Sequence, residues 1–536
     1  MGPCNGRLFA VVFLILFPIP VLTAESRQDV SEGPSLKVTS TLVTLDVTVF
    51  DKNGQPVVSG LSKDDFKITE NKQPQRTFSF EPAQLHISDA RASSLKGNSP
   101  KDNRDDRIPL TVFVLDRLNS TVDEFAQLRE AVRTFLSRQE DQLSSPTEML
   151  VIGNDSLEMV QGFTRSRDDL LFALDHVETV LPFKLMHSDF DGERAHQSID
   201  ALEQIAVQNK GLPGRKNVIW VGPGGPNLDR AAYGTVLDSW QPYIHAAVNL
   251  LVNARVSLFV IYPGMKTSSQ LIAADSPGAA AENFSSSRDH DIGNNNPHTG
   301  DINFPLFSRE TGGALFYDRN DLDQEIVKST EIGTHYYTLT YQPSDKSADG
   351  KFREIHVTLR DPNLRAVTKS GYFATDRRTP VDPQQVLQMN VIEAARSTIP
   401  FETLKLHISD VLRRPESHMA QFIVHVMPRN LGWLPTPDGK KTANRVLAVI
   451  SLSDKREILA SKLEKMTLHS AANDPNSLSE EVLVRLTALV PPKTHEIRIV
   501  LESVDEGRMG TADLGRKTID AAPARPPSNG SPGAGS

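Results

Sequence analysis

A buried strand that ends in an acidic side chain most constrains how this 536-residue chain can fold. The segment from Leu110 to Asp116 is apolar up to its final carboxylate, and Ser120 and an amphipathic segment follow it. Unbroken apolar strands are typical of parallel sheets covered by helices on both faces, and ligands of such folds bind at the carboxyl edge of the sheet. The sequence therefore predicts an α/β unit with Asp116 at an exposed, ligand-binding edge.

Apolar runs alternate with helical patterns over residues 108–333, which predicts a doubly wound parallel sheet with helices on both faces. The predicted strands are Leu110–Leu115, Met149–Ile152, Leu157–Val160, Val218–Val221, Val256–Ile261 and Ala314–Tyr317. The predicted helices are Val122–Arg138, Arg167–Val180, Ala195–Gln208, Leu237–Asn253 and Leu322–Gly333. Residues 263–305 interrupt the series without apolar periodicity, so this long loop is either a functional excursion or disordered.

The segments on both sides of this unit have the period of two that is typical of β-strands. Residues 36–82 and 334–374, the latter including a predicted strand Ala366–Tyr372, are each too short to bury a core alone. We therefore expect one discontinuous β-sandwich into which the α/β unit is inserted. A linker then leads to a β-rich, sandwich-like domain over residues 384–515, and the Pro, Gly and Ser content of residues 521–536 predicts a disordered tail.

Charge and the amino terminus limit the partners and the location of the chain. The net charge is -9, and no basic tract is present, which argues against a nucleic-acid partner. Residues 1–24 combine Arg7, an apolar run and Ala24, which predicts a signal peptide and a secreted or periplasmic protein without a membrane span after cleavage, although an uncleaved anchor is an alternative. Cys4 is the single cysteine, so cleavage leaves no thiol for a disulfide or a metal site.

The chain contains no familiar catalytic motif. Neither G-x-S-x-G nor H-E-x-x-H occurs, and histidine pairs such as His196 with His245 lack the helical spacing of a zinc site. We therefore predict that the protein is not an enzyme. Two alternatives stay open: a secreted hydrolase with its active site under loop 263–305, and a structural component of the cell envelope.

A series of short segments occurs in a fixed order along the chain: Leu110–Ser120, Lys216–Trp220 before a Gly-rich turn, Arg309–Gly313, Tyr336–Tyr341, Gly350–Arg353 and Gly371–Phe373. In this order they resemble the von Willebrand factor A-related exported proteins typical of acidobacteria. The resemblance covers roughly residues 36–374 and implies an exported protein with a Rossmann-like A domain. It also implies that the carboxyl edge of this domain is the place to look for a binding site.

The resemblance implies a divalent-cation site at that edge, because A domains hold Mg²⁺ with Asp-x-Ser-x-Ser, a threonine and a later aspartate. Asp116 and Ser120 match the first and last positions, whereas Leu118 replaces the middle serine and Gly222 stands where the aspartate is expected. Asn119 is a candidate replacement ligand. We therefore predict an incomplete Mg²⁺ site formed by Asp116, Ser120 and Asn119, with Ser198, Asp189 or Asp191 as candidates for the missing loop ligand.

A simpler interpretation needs no metal. Asp116 then hydrogen-bonds loop amides or caps the following helix, with Ser120 or Thr121 as the N-cap. The turn Gly222–Pro226 lacks the lysine and the spacing of a phosphate loop, so close backbone packing explains its glycines better than nucleotide binding.

The function predicted from these observations is that of an exported adhesion or scaffold protein. Its partner is another protein, and the predicted binding face consists of Thr121, Gly222, Gly224 and Asn227 at the carboxyl edge of the A-like domain.

Overall fold

A computed structural model describes residues 42–86, 108–225, 235–262, 304, 306–317, 321–347, 349–374, 383–427, 431, 433–436, 441–470, 481–503 and 507–524. The predicted signal peptide, nearly all of loop 263–305, Asn227 and residues 525–536 lie outside this described part. Within it, every helix is too short or too polar to cross a lipid bilayer.

Four short strands open the described part of the chain: β1 (Val43–Phe50), β2 (Phe66–Glu70), β3 (Gln73–Gln75) and β4 (Thr77–Glu81). Strands β2 and β3 form a hairpin, because Asn71 and Lys72 both have positive φ angles, of 48° and 66°, as a two-residue turn of this type requires.

A six-stranded sheet, called here the central sheet, lies in the middle of the chain. Its strands are β5 (Leu110–Asp116), β6 (Gln142–Ile152), β7 (Leu157–Ser166), β8 (Lys216–Val221), β9 (Val256–Tyr262) and β10 (Ala314–Tyr317). The strand order is β10-β9-β8-β5-β6-β7, and all neighbours are parallel except the edge pair β6 and β7. All six correspond to apolar runs in the sequence.

Helices cover both faces of the central sheet. They are α1 (Val122–Ser137), α2 (Arg167–Asp175), α3 (Asp191–Gln208), α4 (Thr235–Asn253), α5 (Leu306–Thr311) and α6 (Leu322–Thr334). Alternate side chains of β5 enter two different cores: Val112 and Val114 pack in the cluster that includes α3 and α4, and Phe113 and Leu115 in the cluster that includes α1, α2 and α6. The unbroken apolar run is thus explained by burial on both sides.

Strands after the central sheet pair with strands before it. Strands β11 (Tyr337–Tyr341), β12 (Phe352–Leu359), β13 (Arg365–Val367) and β14 (Gly371–Phe373) complete two four-stranded sheets, β13-β1-β11-β4 and β14-β12-β2-β3. Both sheets contribute to one buried cluster, with Leu45 and Leu339 from the first and Ile68 and Ile355 from the second. The prediction of one strand over Ala366–Tyr372 is wrong, because β13 and β14 belong to different sheets.

The last part of the chain is rich in β-structure. It contains α7 (Pro383–Arg396), β15 (Leu406–Arg414), β16 (Met419–Val426), β17 (Leu434–Pro435), β18 (Lys441–Leu452), β19 (Ile458–Ser470), β20 (Val482–Leu489), β21 (Glu496–Ser503), β22 (Met509–Gly515) and α8 (Arg516–Ala521). Strands β15, β16 and β20 form one sheet, and β17, β18, β19, β21 and β22 form another.

The predicted start of a disordered tail at Ala521 is wrong. Ala521 ends helix α8, Ala522 is buried, and Ala524 forms a β-bridge with Arg413. Burial of Ala522 and the bridge to Arg413 thus make residues 521–524 part of the last β-rich region.

Candidate functional site at the carboxyl edge of the central sheet

Asp116 ends strand β5 at the carboxyl edge, as the sequence predicts, but its side chain is not exposed. The relative exposure of the residue is 0%. The expectation of an acidic side chain on an exposed edge is therefore wrong, because residues after β8 close over it. The carboxyl edge therefore contains a buried polar network around Asp116, which lies beneath the protein surface.

Protein donors surround the Asp116 carboxylate. Oδ2 accepts hydrogen bonds from the Trp220 indole Nε1 at 3.1 Å and from the Gly224 amide at 2.7 Å. Oδ1 accepts from the Asn119 amide and from the Asn119 side chain, each at 3.0 Å. Burial raises the pKa of Asp116, and these hydrogen bonds oppose the rise because they favour the ionised form. Both oxygens are thus occupied, as the interpretation without a metal predicts.

The glycines after β8 permit this close packing. A Cβ atom on Gly222 would lie 2.4 Å from Cβ of Asp116, and one on Gly224 would lie 1.9 Å from Cδ1 of Phe304. Gly222 and Gly224 are buried, so their predicted place in a partner-binding face is wrong. The prediction that close backbone packing explains these glycines is confirmed.

Asn119 links Asp116 to a buried cation. Its side-chain amide donates to Asp116 and to the Ser198 hydroxyl, at 3.1 Å, while its oxygen accepts a hydrogen bond of 2.8 Å from the guanidinium of Arg194. Arg194 also forms a 2.7 Å ion pair with Asp191 and is itself buried. Helix α3 thus brings three residues to the site, of which Ser198 and Asp191 were sequence candidates and Arg194 was not.

The residues present do not fit the Mg²⁺ ion that the resemblance implies. Mg²⁺ needs an octahedral set of oxygen ligands. Here the Asp116 oxygens face N–H donors, and the Asn119 oxygen faces Arg194, whose charge would repel a metal ion. Ser120 is the one predicted ligand whose oxygen has no hydrogen-bond partner among the described residues. One hydroxyl without a partner is too few ligands to hold Mg²⁺ at this edge.

Thr121 has a structural role that the sequence also allows. It is the N-cap of helix α1: its hydroxyl accepts from the Glu124 amide at 3.3 Å, and the Glu124 carboxylate accepts from the Thr121 amide at 2.8 Å. This is a reciprocal capping box, which satisfies two backbone donors at the helix start. Thr121 is nevertheless exposed, so it also contributes to the surface at this edge.

A surface that the sequence analysis missed lies next to this network. Residues 180–186, called here the apolar loop, lie between α2 and α3, include a short 3-10 helix over Phe183–Met186, and expose large hydrophobic side chains. Phe183 is 57% exposed and Met186 is 63% exposed, and Val180 and Leu181 are exposed as well. The signal in the sequence was the dense run VLPFKLM, which the predicted helix Arg167–Val180 partly absorbed.

The apolar loop is fixed against the carboxyl ends of two central strands. The Lys184 amide donates to the Asn154 side chain, just after β6, and Arg117, just after β5, donates to the Glu178 carbonyl at 3.2 Å. The Phe183 ring also contacts the rings of His187, at 4.9 Å, and Phe190, at 5.6 Å. Hydrogen bonds and ring contacts therefore hold the apolar side chains at the same edge as the Asp116 network.

Comparisons with known proteins assign no family. No protein-family model and no curated protein match the chain. Among solved structures, one similar chain is described as the crystal structure of the SpRpn10 VWA domain, with 11% sequence identity and a TM-score of 0.22, covering 42% of this chain and 97% of that one. The class of the molecule therefore rests on its own strand order: a mixed α/β protein with several sheets.

Proposed function

We propose that this chain is an exported adhesion or scaffold protein, not an enzyme, and that its A-like unit binds another protein through the apolar loop. The exposed side chains of Phe183 and Met186 carry the proposal. Contiguous exposed apolar side chains beside polar ones are typical of protein-binding sites, and aromatic residues and methionine are enriched in the centres of interfaces. The partner is expected to present an apolar patch of its own.

Recognition is expected to be independent of metal ions. The candidate ligand oxygens of Asp116 and Asn119 already accept hydrogen bonds, from the Gly224 amide and the Arg194 guanidinium respectively. A chelator such as EDTA should therefore leave partner binding unchanged, in contrast to what an intact cation site would give.

Site-specific photo-crosslinking in the native host tests the binding surface. A photoreactive phenylalanine analogue replaces Phe183 in one variant and Phe172 in a matched control, since Phe172 is 69% exposed on α2 but lies outside the apolar loop. We expect a discrete adduct from position 183, insensitive to EDTA and lost when Met186→Ser is added. Equal adducts from both positions, or none from position 183, would contradict the proposal.

Export is supported by residues 1–24, which have the composition of a signal peptide. Mass spectrometry of the protein purified from its native host should find a mature chain that begins at Glu25. An intact Met1 in a cell-associated protein would contradict export by cleavage.

The A-like unit is further proposed to be inserted in a discontinuous β-sandwich. The pairing of β1 with β11 and of β2 with β12 supports this arrangement, because each pair joins strands from opposite sides of residues 108–333. Residues 36–82 and 334–374, joined by a short linker and expressed without the unit, should form a folded β-protein. A disordered fragment would argue against the arrangement.

A further inference from the structure

Two histidines and a glutamate meet on the solvent side of the sheet β15-β16-β20. They are His407, His425 and Glu481, and their nearest ligand atoms all lie within 4.8 Å of one another. His425 is on the opposite face of β16 from Phe422 and Val424, which pack in the core, because side chains alternate along a strand. The cluster is therefore separate from the core and from the carboxyl edge of the central sheet.

The strand register explains why these three side chains meet. His407 and His425 are directly opposite each other on β15 and β16. On the other side of β16, Val482 of β20 pairs with Val426, which places Glu481 just before the strand and diagonally next to His425. Cross-strand and diagonal neighbours on one face are within reach of each other's side chains.

Both imidazole rings direct the same nitrogen at the carboxylate. Nδ1 of His425 lies 2.6 Å from one oxygen of Glu481, and Nδ1 of His407 lies 3.7 Å from the other. The two rings are stacked, with centroids 4.0 Å apart. Two nitrogen lone pairs and a carboxylate that converge in this way form a ligand set for a borderline-soft divalent cation.

A fourth residue fixes the orientation of one ring. Nε2 of His425 lies 2.7 Å from the hydroxyl of Ser409. When Nε2 donates its proton to this hydroxyl, the lone pair of His425 is at Nδ1, on the side of Glu481. Metal-binding histidines commonly have such an outer partner, which sets the tautomer and the ring orientation.

We propose that His407, His425 and Glu481 form a Zn²⁺ site with an open fourth position. Ligand atoms around a tetrahedral zinc ion lie about 3.3 Å apart, so the pair at 2.6 Å has to open slightly and the other distances have to shorten. His407 is exposed and the other two side chains are partly exposed, which leaves room for this adjustment. Water or a donor from another molecule completes the coordination.

Equilibrium dialysis of the full chain against Zn²⁺, with bound metal measured by mass spectrometry, tests the site. We expect His407→Ala, His425→Ala and Glu481→Gln each to bind one equivalent less than the wild type at low micromolar free Zn²⁺. Ser409→Ala should bind about tenfold more weakly, because it removes only the outer partner. With Co²⁺, only chains with all three ligands should give strong visible d–d absorption.

A matched control is available on strand β12. His356 and Glu354 also form an exposed pair, with Nε2 and Oε1 3.1 Å apart. Among the residues that the structure describes, no second histidine joins this pair to make a group of three ligands. His356→Ala should leave both the stoichiometry and the Co²⁺ spectrum unchanged. The proposal is overturned if a variant that combines His407→Ala, His425→Ala and Glu481→Gln binds as much Zn²⁺ as the wild type, or if His356→Ala causes the same loss as His407→Ala.

Discussion

At the scale of residues, Arg194 determines that the carboxyl edge does not fit a metal ion. The sequence pattern around Asp116 indicates a degenerate cation site, yet the structure contains a buried guanidinium within hydrogen-bond distance of Asn119. Arg194 is a residue of helix α3 and is held by its ion pair with Asp191. The cationic group at this edge is therefore covalently part of the chain, which a dissociable Mg²⁺ ion would not be.

Asp116→Ala should lower the free energy of unfolding, and the loss should be the same with and without Mg²⁺. The substitution leaves the buried donors of Trp220, Gly224 and Asn119 without their acceptor. Unsatisfied buried donors cost about 1–3 kcal/mol each, so we expect a loss of at least about 3 kcal/mol in the free energy of unfolding, measured in urea.

Two comparisons check this prediction. Asp155→Ala, at an exposed position just after β6, should cost less than about 0.5 kcal/mol. The melting temperature of the wild type, freed of bound metal beforehand, should be the same with and without added Mg²⁺. A Mg²⁺-dependent rise that Asp116→Ala abolishes would show that the carboxylate binds metal after all.

Gly224→Ala and Gly60→Ala separate backbone strain from lack of space. The φ angles are nearly equal, +79° and +84°, but a Cβ on Gly224 collides with Phe304, whereas a Cβ on Gly60 has nothing within 4 Å. Both variants should lose about 1–2 kcal/mol from the left-handed conformation. Gly224→Ala should lose about 1–3 kcal/mol more, from overpacking. Equal unfolding free energies would contradict this account of the turn.

Sequence reasoning located the edge of the sheet but not its chemistry. Asn119 is only three residues after Asp116 in the sequence, so part of the network was predictable. Trp220 and Arg194 are 104 and 78 residues away, and only the fold brings them to the carboxylate or its neighbour. The cluster of His407 and His425 was missed for the same reason: two residues that pair across strands have no fixed spacing along the chain.

At the scale of secondary structure, periodicity predicted the elements whose burial is strong. Strand β5 was predicted because both of its faces are buried, which gives an unbroken apolar run in the sequence. Strand β22, Met509–Gly515, has the sequence MGTADLG, whose small and polar residues give neither an apolar run nor a period of two. Its pairing with β21 explains why it is a strand nonetheless.

Helix α1 should depend on its capping box. Thr121→Ala removes the acceptor of the Glu124 amide and should cost about 1 kcal/mol in the free energy of unfolding. Thr121→Ser is the matched control, because it keeps the hydroxyl and should stay within about 0.3 kcal/mol of the wild type. If both variants lose the same stability in urea, the methyl group rather than the cap is responsible.

Glu148 on strand β6 should make stability dependent on pH. Its side chain is fully buried, and one oxygen accepts from Gln208 at 2.8 Å. Burial raises the pKa of Glu148 to about 8, and the nearby Glu402 carboxylate adds to the rise. A raised folded-state pKa means that the stabilising contribution is complete below the unfolded value of 4.5 and is lost as the pH rises through about 8.

Urea unfolding of Glu148→Gln at several pH values tests this. Between about pH 5 and about pH 9, the free energy of unfolding should fall more in the wild type than in the variant. The difference should be at least about 2 kcal/mol, because one pKa unit corresponds to about 1.4 kcal/mol. Glu158→Gln, on the exposed side of the neighbouring strand β7, should follow the wild-type curve. Parallel curves for Glu148→Gln and the wild type would exclude Glu148 as the titrating group.

At the scale of the molecule, one buried cluster extends from the central sheet into the last part of the chain. It contains Leu202 of α3, Ala394 of α7 and Val500 of β21. Polar contacts follow the same path: Arg498 donates to the Ala394 carbonyl at 3.0 Å, and Gln208 donates to the Pro400 carbonyl at 3.2 Å. From the sequence, these regions were placed in separate domains because a linker lies between them. The composition of a linker does not show which surfaces pack against each other in the folded chain.

We therefore expect the central sheet and the last β-rich part to unfold together. Trp220 lies in strand β8 and Trp433 packs against the last core, so each reports on one region. With 5-fluorotryptophan incorporated, the ¹⁹F resonances of the two residues should disappear with one urea midpoint, since units that share a core unfold cooperatively. Ala395→Asp places a charge in the shared cluster. In this variant the urea midpoints of the Trp220 and Trp433 resonances should differ. Separate midpoints already in the wild type would mean that the two regions are independent in stability despite their contact.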